Sequence, residues 1–314
     1  MKPRVLSSIA LLSAILVAPA AGAQVLNGFD LRGASIPVDQ IVPGGPPRDG
    51  IPALSNPEFE AAASADWLDD RDRVLTLEAN GVAKAYPIRI LNWHEVVNDE
   101  VGGEPVLVSF CPLCGTGMAF DPRVRGQRLT FGVSGLLYNS DVLMYDRETE
   151  SLWTQIGRRA VTGPTRGAEL RQVPLLHTTW GRWRKEHPRA LVLSRETGYD
   201  RDYDSDPYAG YARDSRLMFP VASTDDRLQP KAMVFGITAG DAAKAYPFDA
   251  LTRSASPVRD RVGEQDLLVY FDRDSRTAFA TDLRGRAVPG TVAYWFAWSA
   301  FHPKTAVWRL DSRG

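Results

Sequence analysis

The sequence predicts a β-rich α+β protein with few short helices, built as two pseudo-symmetric β lobes from an internal duplication. Three observations carry this. Residues 74–87 read V-L-T-L-E-A-N-G-V-A-K-A-Y-P and residues 234–247 read V-F-G-I-T-A-G-D-A-A-K-A-Y-P, sharing A-K-A-Y-P at one offset. Both alternate as half-buried strands do. Further along, V-L-V-S-F-C at 106–111 answers L-L-V-Y-F-D at 267–272, and Thr116 and Phe120 recur approximately as Thr277 and Phe279. Each half then closes on tryptophans and a His-Pro pair: Trp180, Trp183 and His187-Pro188, then Trp295, Trp298 and His302-Pro303. Two copies are too few for a stacked repeat, so packing about a pseudo-twofold axis is expected.

Taken in order, residues 1–23 read as a signal peptide. Lys2 and Arg4 precede an apolar run over 5–17, and Ala21-Gly22-Ala23 supplies the small residues a signal peptidase reads before Gln24. The run is short of the roughly twenty residues a membrane-spanning helix needs. The expectation is therefore a periplasmic or secreted protein, soluble, with no stable membrane anchor after cleavage. Residues 24–195 form the N-terminal lobe and residues 231–314 a degenerate C-terminal lobe. In the first lobe, 129–132, 143–146 and 152–155 read as short strands of a meander, with a hairpin turn at 147–150. Helical periodicity is confined to 56–69, 180–185 and the Trp295 region. Residues 196–230, opening on the polar, tyrosine-rich E-T-G-Y-D-R-D-Y-D-S-D-P-Y-A-G-Y, read as the linker.

Composition narrows the function. The chain has 314 residues, and Lys plus Arg number 37 against 38 for Asp plus Glu. No net positive field exists to hold nucleic acid. Neither a G-x-S-x-G elbow nor a phosphate-binding glycine loop occurs. Asp200, Asp202, Asp204 and Asp206 alternate as in a calcium loop, but the required glycine and terminal glutamate are missing.

Cys111 and Cys114 are the only cysteines. If oxidised they form a Cys111–Cys114 disulfide that closes a very short loop, worth only about 2 kcal/mol on the chain-entropy model. A staple is a poor reason for the pair, which leaves a redox dithiol or a metal-binding dithiolate. The residues that follow, G-T-G-M-A-F, begin a strand better than a helix, unlike a thioredoxin-type site. A strand, then C-P-L-C-G, then a strand is the form of a metal-binding knuckle that delivers half a coordination sphere. His94, seventeen residues before Cys111 in L-N-W-H-E-V-V-N-D, is the expected third ligand. The second lobe lacks it, and has Asp272 and Ser275 in place of the cysteines. Glu95 is read as a group that orients the imidazole, a proton carrier or a helix-surface carboxylate. His187 and His302 recur in both lobes and read as structural, and His177 has no evident partner.

Several long motifs carry a family resemblance: G-G-P-P-R-D-G-I-P-A-L at 44–54, A-Y-P-I-R-I-L-N-W-H-E-V-V-N-D, S-F-C-P-L-C-G-T, the run from T-F-G-V-S-G to L-W-T-Q, and T-T-W-G-R-W-R-K-E-H-P. Together they resemble DUF3179, a bacterial and archaeal family of proteins of unknown function, over nearly the whole chain after the signal peptide. The resemblance implies no activity. It implies that the shared features converge on Asp49, His94, Cys111, Cys114 and the segment Tyr138-Asn139-Ser140-Asp141, with Asp49, Trp93, Glu95, Asn139 and Asp141 in support.

The leading expectation is a soft-metal site of Cys111, Cys114 and His94 holding a copper or zinc ion for storage, delivery or catalysis. Its partner would be a metal donor or acceptor. The alternatives are a thiol-disulfide oxidoreductase using the dithiol with a thiol-redox partner, and a non-enzymatic ligand-binding scaffold.

Overall fold

Each A-K-A-Y-P segment forms the second strand of an antiparallel hairpin. In the first half Arg73–Ala79 pairs with Val82–Pro87, and in the second Met233–Ala239 pairs with Ala242–Pro247. Strand alternation puts the motif's Lys and Tyr on one face, where both reach an aspartate of a later strand. Lys84 Nζ and the Tyr86 hydroxyl donate to Asp99 at 2.9 and 2.7 Å, and Lys244 and Tyr246 approach Asp260 at 2.6 and 2.9 Å. The motif is thus a buried clamp. Its proline has no N–H to extend a ladder and hands the chain to a short helix, Ile88–His94 or Phe248–Thr252.

The computed structural model describes residues 24–310, so the predicted signal peptide, 1–23, lies outside the described residues. After each short helix comes a three-stranded antiparallel meander. It runs Val96–Val101, Glu104–Cys111 and Thr116–Asp121 in the first half, and Val258–Val262, Gln265–Asp272 and Thr277–Asp282 in the second. Leu176–Thr179 then returns to pair with Arg73–Ala79, as Thr291–Tyr294 returns to Met233–Ala239. Helices Trp180–Glu186 and Trp295–Phe301 follow, and short strands after them add in parallel to the two A-K-A-Y-P strands.

The same elements therefore recur in the same order with the same pairings. His187 stacks on Trp183 at 3.9 Å between centroids, and His302 on Trp298 at 4.1 Å, each just past its helix's last turn. The halves are not separate bodies. Thr116–Asp121 meets Thr291–Tyr294 at Gly117 and Val292, which fuses strands of both into one nine-stranded sheet.

The first half's extra strands are Phe131–Tyr138, Asp141–Asp146 and Leu152–Thr154, which with Ile41–Pro43 make a four-stranded antiparallel sheet. This is the predicted meander, its first strand longer than 129–132. One sequence expectation fails. Residues 56–69 are not a helix: Phe59–Ala61 is a strand against Leu191–Leu193, followed by a single turn, Ala62–Ser64. Tertiary pairing has overridden the local pattern there. Residues 196–230, read as the linker, join the two halves and are mostly exposed, with Tyr203 and Tyr211 buried. They run as a strap across the first half, tied down by Asp204 to Arg89 and Arg195 at 3.1 and 2.8 Å and by the Phe219 carbonyl to Ser140 Oγ at 2.7 Å. No helix among the described residues is long and apolar enough to cross a membrane.

Candidate functional site

The two cysteines sit at a hairpin. Cys111 ends Glu104–Cys111 directly opposite Thr116, and Pro112-Leu113-Cys114-Gly115 is the loop between the strands. The Gly115 N–H donates to the Pro112 carbonyl at 3.3 Å, and the Tyr294 N–H donates to the Cys114 carbonyl at 2.8 Å. Gly115 has φ +60°, and a Cβ there would lie 3.0 Å from the Tyr294 ring, so glycine is needed on both counts. The geometry is that of a strand-to-strand knuckle, not of a helix N-terminus. Both thiols are free and buried, Cys114 completely. In the second half the same loop runs from Asp272 to Thr277, and Asp272 accepts from Ser275 N at 2.8 Å and from Ser275 Oγ. A local polar bond fills the place of the two sulfurs.

A second hairpin tip faces the first. Tyr138 and Asp141 pair across a two-residue turn, with Asn139 and Ser140 at φ +54° and +61°. Two left-handed central residues define the type I′ turn that fits the twist of paired strands. The Ser140 carbonyl accepts from the Cys114 and Cys111 thiols at 3.3 and 3.8 Å. Asn139 Oδ1 accepts the Ala222 N–H at 2.8 Å, which anchors the tip to the strap.

Asp141, the last residue of the turn, is 1 % exposed. Its Oδ2 accepts the Ile156 N–H at 2.9 Å, and its Oδ1 is buried with no hydrogen-bond partner. The two sulfurs and an Asp141 oxygen lie within 4.8 Å of one another, a group that could hold a metal ion. Burial raises the Asp141 pKa to about 7, against the pull of the Ile156 N–H. Burial likewise pushes both thiols up, Cys114 most strongly. Around neutral pH the centre thus favours protonated sulfur and an only partly ionised carboxyl.

The expected third ligand is placed elsewhere. His94 closes helix Ile88–His94, with its Nδ1 2.7 Å from the Pro52 carbonyl and its Nε2 2.6 Å from the Tyr203 hydroxyl. With both ring nitrogens engaged, the position beside the thiols falls to Asp141. Desolvation lowers the His94 pKa to about 4, so the ring is neutral.

Glu95 also departs from expectation. It is no helix-surface carboxylate but a buried residue at φ +57°, ψ −31°, a backbone conformation a side chain rarely adopts and one that costs of order 1–3 kcal/mol. Burial raises its pKa to about 8; the Tyr208 hydroxyl draws it down, and the Asp141 charge adds to the rise. A second carboxyl, held mostly protonated at neutral pH, thus stands beside the cluster.

The other supporting residues are spread out. Asp49 lies on the four-stranded sheet, accepting from the Tyr145 hydroxyl and from Arg147 at 2.9 Å. Trp93 donates to the Ser205 carbonyl at 3.2 Å and so helps seat the strap. Sequence reading missed Tyr211 and Tyr294, which share a core cluster with the two cysteines, and Tyr208, which packs against it. The Tyr211 hydroxyl is buried without a partner. The run of tyrosines in 196–230 was the available signal, and its polarity disguised it.

Fold and site together define a β-rich α+β protein with a buried dithiol-carboxylate centre held between two hairpin tips. The chain belongs to DUF3179, described as a protein of unknown function, whose family profile matches residues 48–288. No curated protein and no solved structure matches it.

Proposed function

We propose that this protein binds one thiophilic metal ion through Cys111, Cys114 and Asp141. The observation that carries the reading is the convergence of three ligand atoms, from two hairpin tips far apart in sequence, around a buried carboxylate oxygen with no protein partner. Unpaired buried oxygens are costly and uncommon, and coordination would satisfy this one. Two thiolates and a carboxylate suit zinc better than copper(I). Zn²⁺ accepts oxygen as well as sulfur, whereas Cu(I) favours thiolate, thioether or imidazole. A dication also reverses the local proton balance, so ligands held protonated by burial ionise on binding and release protons. Three protein ligands leave a position open for solvent, a substrate or a receiving partner.

Thiol-disulfide exchange is less well supported, because it needs an accessible thiolate and here both thiols are buried and shifted towards the protonated form. Residues 1–23, read as a signal peptide, would place the site in the periplasm or outside the cell, with a metal donor or acceptor as partner.

The test is metal analysis of protein recovered without chelator, with zinc and copper titrations of the stripped protein. One ion per chain is expected, absent from Cys111→Ser. In Asp141→Asn the affinity should fall by more than the roughly 10–100-fold that losing an outer-shell partner costs. Full occupancy in both variants would overturn the assignment.

A further inference from the structure

The turn that carries the cysteines has a second face. There the two halves and the strap enclose a cleft of about 300 Å³, at the small end of ligand sites, with Pro112 and Gly115 in its lining. Phe110, Phe248 and Tyr294 give it aromatic walls.

Its charges are unbalanced. Arg73 and Arg276 both line the cleft. Arg73 donates to the His177 carbonyl at 2.6 Å and to the Ser275 carbonyl, so main-chain oxygens hold it and no carboxylate does. Arg276 lies over the Phe248 ring at 5.5 Å. Neither forms an ion pair among the described residues. Desolvation, together with the Arg276 charge, lowers the Arg73 pKa to about 10. His177 also lines the cleft, 7 % exposed, with its Nδ1 buried and unpartnered. One opposing charge, Asp206, also lines the cleft; it accepts from the Asn92 side-chain amide at 3.0 Å and the Tyr208 N–H at 2.9 Å and pairs with neither arginine, which leaves the two cations in excess.

Two guanidiniums, neither ion-paired and together in excess of the one carboxylate in an aromatic-walled cleft, form an anion site, because a bound anion relieves their repulsion and accepts charge-assisted hydrogen bonds. The geometry points to a binding site for a small organic carboxylate: the carboxylate on Arg73 and Arg276, and an aromatic or apolar body against Phe110, Phe248 and Tyr294. Nothing in this site uses the sulfurs, so it stands independently of the metal reading. Its place on the same hairpin puts a ligand next to that centre.

Calorimetric titration of chelator-stripped protein with benzoate, benzyl alcohol and inorganic phosphate tests the assignment. Benzoate should bind saturably, at least about tenfold more tightly than either comparator. Arg276→Gln should weaken benzoate by about tenfold with the ligand-free melting temperature unchanged, since Arg276 is exposed and the substitution spares the fold. Cys111→Ser should bind benzoate as the native protein does, so failure of the metal site is read from metal stoichiometry alone. Absence of saturable benzoate binding would overturn the site, as would benzyl alcohol or phosphate binding as tightly, or undiminished affinity in Arg276→Gln.

Discussion

At the scale of single residues, the centre is defined by groups whose charge is unwelcome where they sit. Glu95 is the sharpest case, since burial lifts its pKa from 4.5 to about 8. A carboxyl with a raised folded-state pKa contributes stability below its unfolded value, near 4.5, and loses it as pH rises through about 8. In metal-free protein, Glu95→Gln removes this dependence. Relative to the native chain, the variant should gain on the order of 2 kcal/mol between pH 5 and 8, allowing for relaxation of the site. Urea denaturation across that range checks it, and parallel curves for the two proteins would contradict it. Asp141 titrates in the same direction towards about 7; metal loading, which ionises it together with both thiols, should instead make stability rise with pH, because the unfolded chain then binds more protons than the loaded fold.

The site's geometry belongs to the elements, and the type I′ turn at Asn139-Ser140 matters most. It presents the Ser140 carbonyl and Asp141 to both sulfurs, and it depends on two left-handed residues. Asn139→Ala should cost about 1–2 kcal/mol through its positive φ and the lost bond to Ala222. Asn139→Gly should recover the backbone part and leave the strap loosened. If thermal melts rank Ala at or above Gly, the turn is not what holds the tip. The strap is the second such element. Its sequence has the polarity of a solvated linker, yet it packs Tyr208 and Tyr211 with the core cluster of the two cysteines and places Tyr203 on His94.

Over the whole molecule, the repeated halves share one sheet, so they are expected to unfold together. Their clamps differ in depth: Lys84 and Asp99 are both buried, whereas Lys244 and Asp260 keep about a fifth of their side-chain surface exposed. Removing a carboxylate from a buried pair strands an ammonium and costs about 3–5 kcal/mol, and a partly solvated pair costs less because water reaches the stranded charge. Asp99→Ala should therefore destabilise far more than Asp260→Ala, each moving a single calorimetric transition. Two separated transitions would show that the halves behave as independent bodies, and equal losses would contradict the difference in depth.

Much of this was legible in the sequence. Alternation and the A-K-A-Y-P repeat determined the β-rich class and the recurring order of elements, because strand periodicity is local and each clamp is written within about fifteen residues. The knuckle was legible too, since Pro, Gly and a following strand-former at fixed spacing leave the chain few shapes. Only the tertiary structure decided which residues meet. His94 lies nearer to Cys111 in sequence than Asp141 does, but a helix end at Glu95 commits its ring to Pro52 and Tyr203, and a hairpin from a different sheet brings Asp141 to the sulfurs. Local pattern fixes a residue's face and leaves open which face of another element it will meet. That depends on how sheets stack, a sum of long-range packing that no short window of sequence contains.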